Sequence, residues 1–302
     1  RRFGLHSLSA LALYNQSKTY YPSTYADIAR GYVGFVGRVT YDFDSRYVAE
    51  VNFGYNGSEN FAPGKRFGAF PAGSIGWVVS NEKFMEPLQP YLSFLKLRAS
   101  LGKVGNDKVG GNRFMYLPDP FGVNDTGLME RDGYGYLFGV STGAAVQPGA
   151  YELQKNNPDV TWETAVKQNY AIDMQFFNNR LKTSFDYYRE HRTDILLQNF
   201  NSPVLLGYKP TFTNHGIVDS WGWELSLGWS DRINKDLSYY VNFNLSYNDN
   251  KIIQDGQAPQ SYDYMKTAGH RIGSRSQLKF WRYYDSNAAA DYEAEFGAPL
   301  PK

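Results

Sequence analysis

The chain carries four histidines, His6, His191, His215 and His270, and these are the first residues to weigh for chemistry. No two stand at the spacing that puts metal ligands on one helix face, and no helical periodicity surrounds them. Cysteine is absent, which removes thiolate metal sites, disulfides and a cysteine nucleophile. "REHRTD" gathers Glu190, His191 and Asp194, a set that acid–base catalysis would use. Solvated charges at a strand-to-loop junction account for it more simply. "GKVGNDKVGG" (102–111) is glycine-rich but lacks the G-x-x-x-x-G-K-[ST] pattern and follows a strand-like run, so it reads as a loop start. Trp221 and Trp223 resemble a sugar platform in type, yet they alternate in step with Leu225 and Leu227, which makes them part of an apolar face. The expectation is a protein with no catalytic residue, no metal and no cofactor.

Composition restricts the partners. The chain has 302 residues, with 31 basic and 30 acidic side chains and a formal net charge of +1. Nucleic-acid binding needs clustered positive charge, so a dedicated nucleic-acid binder is not expected. Aromatic residues make up 17% and glycines number 29. No run of about 18 apolar residues exists to form a transmembrane helix. Mean hydropathy is −0.51, a value that would ordinarily mark a soluble protein. Membrane barrels escape that inference, because only alternate residues need be apolar.

The elements that would position any functional residue are strands. In "SYYVNFNLSYN" (238–248), Tyr239, Val241, Phe243, Leu245 and Tyr247 alternate with serine, asparagine and Tyr240. Successive strand residues point to opposite faces, so one face is apolar and the other is rich in amides and hydroxyls. The pattern returns at 45–56, where Tyr47, Ala49, Val51, Phe53 and Tyr55 oppose Arg46, Glu50 and Asn52. It returns again at 31–43, 94–102, 180–188 and 221–230, and less regularly at 2–15, 67–80 and 163–177. That makes about nine strands, many long enough to cross a bilayer when tilted. Aromatic residues at strand ends, Tyr239 with Tyr247 and Trp221 with Trp229, match interfacial girdles.

Short and long connections take turns. Short or medium ones fall at 42–45, 81–90, 177–180 and 231–236, and long ones near 16–30, 56–66, 104–162, 190–215 and beyond 249. Outer-membrane barrels have short periplasmic turns and long extracellular loops. The fold class expected is therefore all-β, an antiparallel transmembrane β-barrel segment, with the apolar face on lipid and the polar face on a wet lumen. Arg38, Arg98 and Glu224 are its lumen-facing candidates. A soluble β-sandwich would use the same apolar face as its core, but strand length and loop asymmetry favour the barrel. About nine strands leave two open edges, which lipid does not tolerate. The chain is thus expected to be a segment of a longer one.

Several stretches resemble SusC/RagA-type TonB-dependent outer-membrane transporters. They are "YNGSENFAPGKRFGAFPAGSIGWVVSNEKFM" (55–85), "LSFLKLRASLGKVGND" (92–107), "LKTSFDYYREHRTDILLQ" (181–198), "NHGIVDSWGWELSLGW" (214–229) and the stretch 269–301. The resemblance implies nine or ten strands of a larger, 22-stranded, plugged barrel, with residues 1–302 part of one TonB-dependent receptor-type β-barrel domain. The plug domain and final strands would lie outside the chain. It also implies import of a glycan or oligosaccharide first, an oligopeptide second. A SusD-like surface lipoprotein would cap the barrel, and an inner-membrane TonB complex would supply energy through an N-terminal part. The location implied is the Gram-negative outer membrane, Bacteroidetes-type and multi-pass.

The long connection at 104–162 supplies the contact candidates. Its aromatics stand among acidic and basic residues, a mixture able to stack on sugar or peptide faces and to hydrogen-bond their polar groups. Arg113, Tyr116, Asp119, Asp132, Tyr134 and Tyr136 are the residues expected to touch cargo or partner. The alternative is that these aromatics pack the loop on itself or on the lipoprotein. At the level of function, a non-transporting barrel with structural or adhesive loops stays open, as does an outer-membrane barrel enzyme.

Overall fold

The computed structural model describes residues 1–19, 30–108, 114–117, 122–124, 136–137, 146–147, 149–151, 156–198, 211–277, 280–281, 283 and 285–297. Two compact units divide the chain, Arg1–Ile272 and Gly273–Lys302.

The first unit is built on one antiparallel sheet. Its nine long strands are β1 (His6–Thr19), β2 (Arg30–Phe43), β3 (Tyr47–Ser58), β4 (Phe67–Val78), β5 (Leu92–Asn106), β6 (Glu163–Phe176), β7 (Leu181–Gln198), β8 (Phe212–Arg232) and β9 (Ser238–Gln254). Each pairs with the next in chain order, and the two-residue strand Arg2–Phe3 adds to β1. The nine strands are the nine anticipated from alternation. A meander of this kind follows from the turns. At the β2–β3 turn Asp44 and Ser45 adopt φ of 53° and 55°, and the Asp42 carboxylate accepts from the Ser45 amide at 2.9 Å. At the β6–β7 turn Phe177, Asn178 and Asn179 all have positive φ, a region asparagine tolerates better than most residues.

Register fixes which residues share a face. Val39, Val51 and Gly73 lie on one row, as do Phe185, Leu225 and Leu245. The apolar face is the more exposed one: Val51 is 63% and Ile75 66% accessible. Along β3 exposed apolar residues alternate with half-buried polar ones. A barrel wall with its apolar side toward lipid has this asymmetry. Ladder pairing of β4 with β5 ends at Ala72, beside Pro71, which has no N–H to donate.

Two expectations need correction. The segment 190–215 is not all loop, since β7 runs to Gln198 and β8 begins at Phe212. At 18 and 21 residues these strands exceed what a tilted crossing needs, so they project past the apolar band. "REHRTD" accordingly lies inside β7 and not at a strand-to-loop junction. Glu190 and His191 point to opposite faces. Asp194 sits in a bulge with φ of 58°, where it accepts from Thr164 and Thr193. The second correction concerns 104–162: β5 continues to Asn106, so "GKVGN" is strand. The connection also holds short ladders of its own, Gly122–Asn124 with Gly149–Tyr151 and Tyr136–Leu137 with Val146–Gln147.

A small core closes the loop end of the sheet. Phe61, Phe70, Val160, Trp162 and Leu196 are buried together, with Met115 and Phe212 packed against them. Phe70 belongs to the polar face by alternation with Ala72 and Ser74. Its ring lies over Gly68 and Gly105, where an added Cβ would meet it at 2.4 and 2.1 Å. The second unit contains a helix that the sequence patterning did not reveal, α1 (Ala288–Phe296), ended by Gly297 at φ 66°. Trp281 packs on Tyr292 and Phe296 and donates through Nε1 to the Glu295 carboxylate at 2.8 Å.

Candidate functional site

The candidate residues that the fold brings together lie on the polar face of β5–β8. Arg98 on β5 grips Asp173 on β6 with a two-point fork, Nε to Oδ2 at 2.7 Å and Nη2 to Oδ1 at 3.0 Å. The same Nη2 reaches Asp186 on β7 at 3.5 Å. The Ser184 hydroxyl lies within hydrogen-bond reach of both carboxylates, at 2.9 and 3.0 Å, and its one proton is shared between them. Guanidinium suits this role because its planar donors match carboxylate geometry. One rung further, Asp186 stands opposite Glu224, and Glu224 opposite Ser246. Lys96 and Lys182 occupy the same face. The patch therefore balances Lys96, Arg98 and Lys182 against Asp173, Asp186 and Glu224. Beside it a hollow of about 660 Å³ is lined by Lys96, Asp173, Gln175, Ser184, Ser226, Asn242 and Asn244, among others.

Two further networks share the polar face. Arg38 donates through Nε to Asn52 Oδ1 at 2.9 Å, Asn52 donates to Glu50 at 2.7 Å, and Thr40 donates to the other Glu50 oxygen at 2.9 Å. Glu190 takes Lys167 at 3.0 Å and Arg192 at 2.7 Å. Arg38, Arg98 and Glu224 thus share the face to which alternation assigned them. Lys96, Lys182 and Asp186 were placed on that face by the same alternation without being singled out. Asp173 was hidden in the less regular run 163–177. The signal that could have found it is its position one strand away from Lys96, Asp173 being the direct cross-strand partner.

The contact candidates of the long connection divide by position. Arg113, Asp119, Asp132 and Tyr134 lie outside the described residues. Tyr136 belongs by its backbone to the short ladder with Gln147. Tyr116 follows Met115, which packs on the small core; its hydroxyl is 3.5 Å from Arg66 Nη2, and its carbonyl accepts from Asn156 at 3.2 Å. The end of the connection is lashed to the strands. Asn214 donates to the carbonyls of Thr161 and Asp194 at 2.8 and 2.7 Å, and Trp162 donates to the Arg66 carbonyl at 3.2 Å. Lys65 and Asp159 pair at 2.6 Å. Among the described residues no group of histidine and carboxylate side chains has the arrangement of a metal site.

At the other end of the sheet, Glu82 in the β4–β5 turn collects the polar atoms of the girdle. Tyr47 donates to it at 2.7 Å, Trp77 at 3.2 Å, and Arg46 approaches at 3.4 Å. The hydrogen bond from Tyr47 first, then that from Trp77 and the charge of Arg46, hold its carboxyl below the usual range. Tyr47 and Trp77 stack at 6.3 Å on the apolar face, so their polar handles are fixed at the band's edge.

Long strands with one apolar face, an aromatic border and a polar, charge-balanced opposite face define a wall piece of a membrane-spanning β-barrel. The family follows from comparison: residues 3–298 match the family described as TonB dependent receptor-like, beta-barrel, and the chain belongs to it. TonB-dependent receptor P39 of Formosa agariphila is 31% identical over 256 residues, covering 83% of this chain and 22% of that protein. TonB-dependent receptor SusC of Bacteroides thetaiotaomicron is 29% identical over 276 residues, covering 89% of this chain and 26% of that protein. The chain thus spans about a quarter of the length of these relatives. In fold it superimposes on a solved structure of the RagAB peptide transporter with a TM-score of 0.68 at 20% identity. That match covers 89% of this chain and 31% of the other. The chain is a SusC/RagA-type TonB-dependent receptor segment.

Proposed function

We propose that this segment forms part of the wall of a transporter that imports an uncharged or zwitterionic nutrient across a Gram-negative, Bacteroidetes-type outer membrane. A glycan or oligosaccharide is the first choice of cargo and an oligopeptide the second. The observation that carries the reading is the charge balance of the inner face. Lys96, Arg98 and Lys182 oppose Asp173, Asp186 and Glu224 beside a hollow fringed with serine and asparagine. A pore for anions or cations would carry one sign in excess. Paired charges and amides offer hydrogen bonds to hydroxyl and peptide groups without holding an ion. The family supports the rest: a 22-stranded plugged barrel, a SusD-like lipoprotein over the outer mouth, and energy from a TonB complex reached through another part of the protein. RagAB is named as a peptide transporter, which favours the second cargo as SusC-type resemblance favours the first.

Within the long connection, Arg113, Tyr116, Asp119, Asp132, Tyr134 and Tyr136 remain our choice for contact with cargo or the capping lipoprotein. Growth of a strain deleted for the gene, on a panel of single glycans and peptides, tests the proposal. Loss of growth on one glycan or peptide class, restored by the gene, supports it. Unchanged growth and uptake across the panel would refute it.

A further inference from the structure

The polar face changes character between β7 and β8. On β5–β7 its charges take up one another: Arg98 holds Asp173 and Asp186, and Glu190 holds Lys167 and Arg192. Over Gly222–Gly228 of β8 and Asn242–Asn248 of β9 the same face is short, and Glu224 is its only charge. The floor along β8 is Gly222, Glu224, Ser226 and Gly228. Beside them, rung by rung, stand Asn248, Ser246, Asn244 and Asn242 of β9. All four of these β9 residues are exposed. Among the described residues, none of the four makes a side-chain hydrogen bond to the rest of the chain. The row stops at Asn250, whose carboxamide oxygen accepts from the Ile272 amide at 2.8 Å. Glycine keeps the floor low. The Tyr188 side chain lies across Gly222, where an added Cβ would meet its hydroxyl at 2.5 Å. Toward the other end the floor opens into the hollow of about 660 Å³ that Ser226, Gly228, Asn242 and Asn244 help to line.

Spacing says what this row can hold. Alternate residues of a strand lie about 6.6–6.8 Å apart, so the four side chains repeat at that interval over about 20 Å. An extended peptide laid along β9 has the same interval. On each of its edges it turns outward the N–H and C=O of every second residue, as a pair. A carboxamide answers such a pair with one acceptor and one donor, Oδ1 to the N–H and Nδ2 to the C=O. The Ser246 hydroxyl, donor and acceptor at once, fills the step between Asn244 and Asn248. A glycan carries its hydroxyls around each ring and has no such paired edge. Main-chain recognition of this kind is indifferent to most side chains, and the low floor leaves room for them.

We infer that Asn242, Asn244, Ser246 and Asn248 form a binding row for the main chain of an extended peptide, held along β9 on the polar side of the wall. The repeat of the row, its free donors and acceptors and its continuity with the hollow select this occupant. The inference rests on the import reading above and assigns to it a peptide site, and the test separates the two.

The full-length protein in mild detergent is titrated with a peptide of alternating serine and alanine, about seven residues long so that it spans the row. Two further forms are N-methylated, one at the even positions and one at the odd. A neutral oligosaccharide of similar length is the fourth probe. The expected result is binding of the unmodified peptide, a loss of at least about tenfold for one methylation pattern, and a change of less than about twofold for the other, since only one edge of the peptide faces the row. The combined variant Asn242→Ala, Asn244→Ala, Asn248→Ala should bind the unmodified peptide at least about tenfold more weakly and should no longer distinguish the two methylated forms. Lys235→Gln, in the β8–β9 turn, should bind as the unaltered protein does. If the combined variant fails to assemble, the two methylated peptides on the unaltered protein still decide. No binding of the peptide would overturn the inference, as would an equal effect of the two methylation patterns, a variant that still distinguishes them, or an oligosaccharide whose binding depends on the asparagines to the same degree. Growth of the deletion strain reads the import proposal separately. Unchanged growth on every glycan and peptide refutes import whatever the titration shows, and growth lost on glycans alone, with no peptide bound, refutes the row and leaves import standing.

Discussion

Placing an arginine on successive residues of β8 separates the two faces of the wall. Leu225 lies four residues from Trp221 and four from Trp229, with Phe185 and Leu245 on either side. Four residues span about 13 Å along a strand, or about 10 Å along the membrane normal at a tilt near 40°. Leu225 is therefore close to the middle of an apolar band about 25 Å tall, and Leu227 lies nearer one border. An arginine at the midplane costs about 2–4 kcal/mol, and near the border about 0–1 kcal/mol. Leu225→Arg should cost about 3 kcal/mol, Leu227→Arg about 1–2 kcal/mol, and Ser226→Arg less than about 1 kcal/mol, since it enters the hydrated side. The full-length protein unfolded by denaturant in phospholipid vesicles, followed by tryptophan fluorescence, gives the midpoints. A common slope converts them to free energies. A cost at Ser226 equal to that at Leu225, or no gradient between 225 and 227, would refute the facing and the depth together.

Three shorter predictions use the same geometry. Arg98→Met leaves Asp173 and Asp186 facing each other without their shared cation, and should destabilise by about 1–2 kcal/mol; part of that returns when Asp173→Asn is added. If the double variant is no more stable than the single one, the network is not what Arg98 holds. Glu82 has a lowered pKa, so its bonds to Tyr47 and Trp77 contribute fully above the ordinary carboxylate value and fade as pH falls through the depressed one. Amide exchange at residues 79–88 should therefore quicken only in acid, and Glu82→Gln should abolish that dependence; a loss centred near neutral pH would contradict the assignment. In intact cells, a thiol reagent that does not cross the membrane should label Pro63→Cys and spare Lys235→Cys, and the reverse would invert the topology.

The wall was legible because lipid imposes a period of two. Each residue touching acyl chains must be apolar, so Tyr47 to Tyr55, Leu95 to Leu101 and Tyr239 to Tyr247 announce their strands one by one. The signal fades where the outer face leaves lipid. Above Tyr187 the same face carries Arg189 and His191, and the bulge at Asp194 then breaks the alternation. Strand β7 therefore looked shorter than it is, and charges within it passed for a loop. The small core was illegible for a different reason. Phe61, Phe70, Val160 with Trp162, and Leu196 come from four places in the sequence, and no local pattern foretells that they meet. Their common place becomes visible only when register sets β4 to β8 in order across the sheet.

The inner face shows why its chemistry was only half readable. Parity placed Lys96, Arg98, Lys182 and Asp186 on one side, but parity says nothing about distance. The network exists because β5, β6 and β7 are consecutive neighbours in a register that sets Lys96 against Asp173 and Asp173 against Ser184. A shift of one residue in either ladder would turn Asp173 out to lipid and leave Arg98 without its fork. Desolvation of an unpaired carboxylate in the apolar band would then oppose that slipped register, while the native one lets Arg98, Ser184 and water satisfy both acids. The charge pairs of the polar face thus do two jobs with one geometry: they neutralise one another across neighbouring strands, and they lock those strands in the alignment that keeps them on one face.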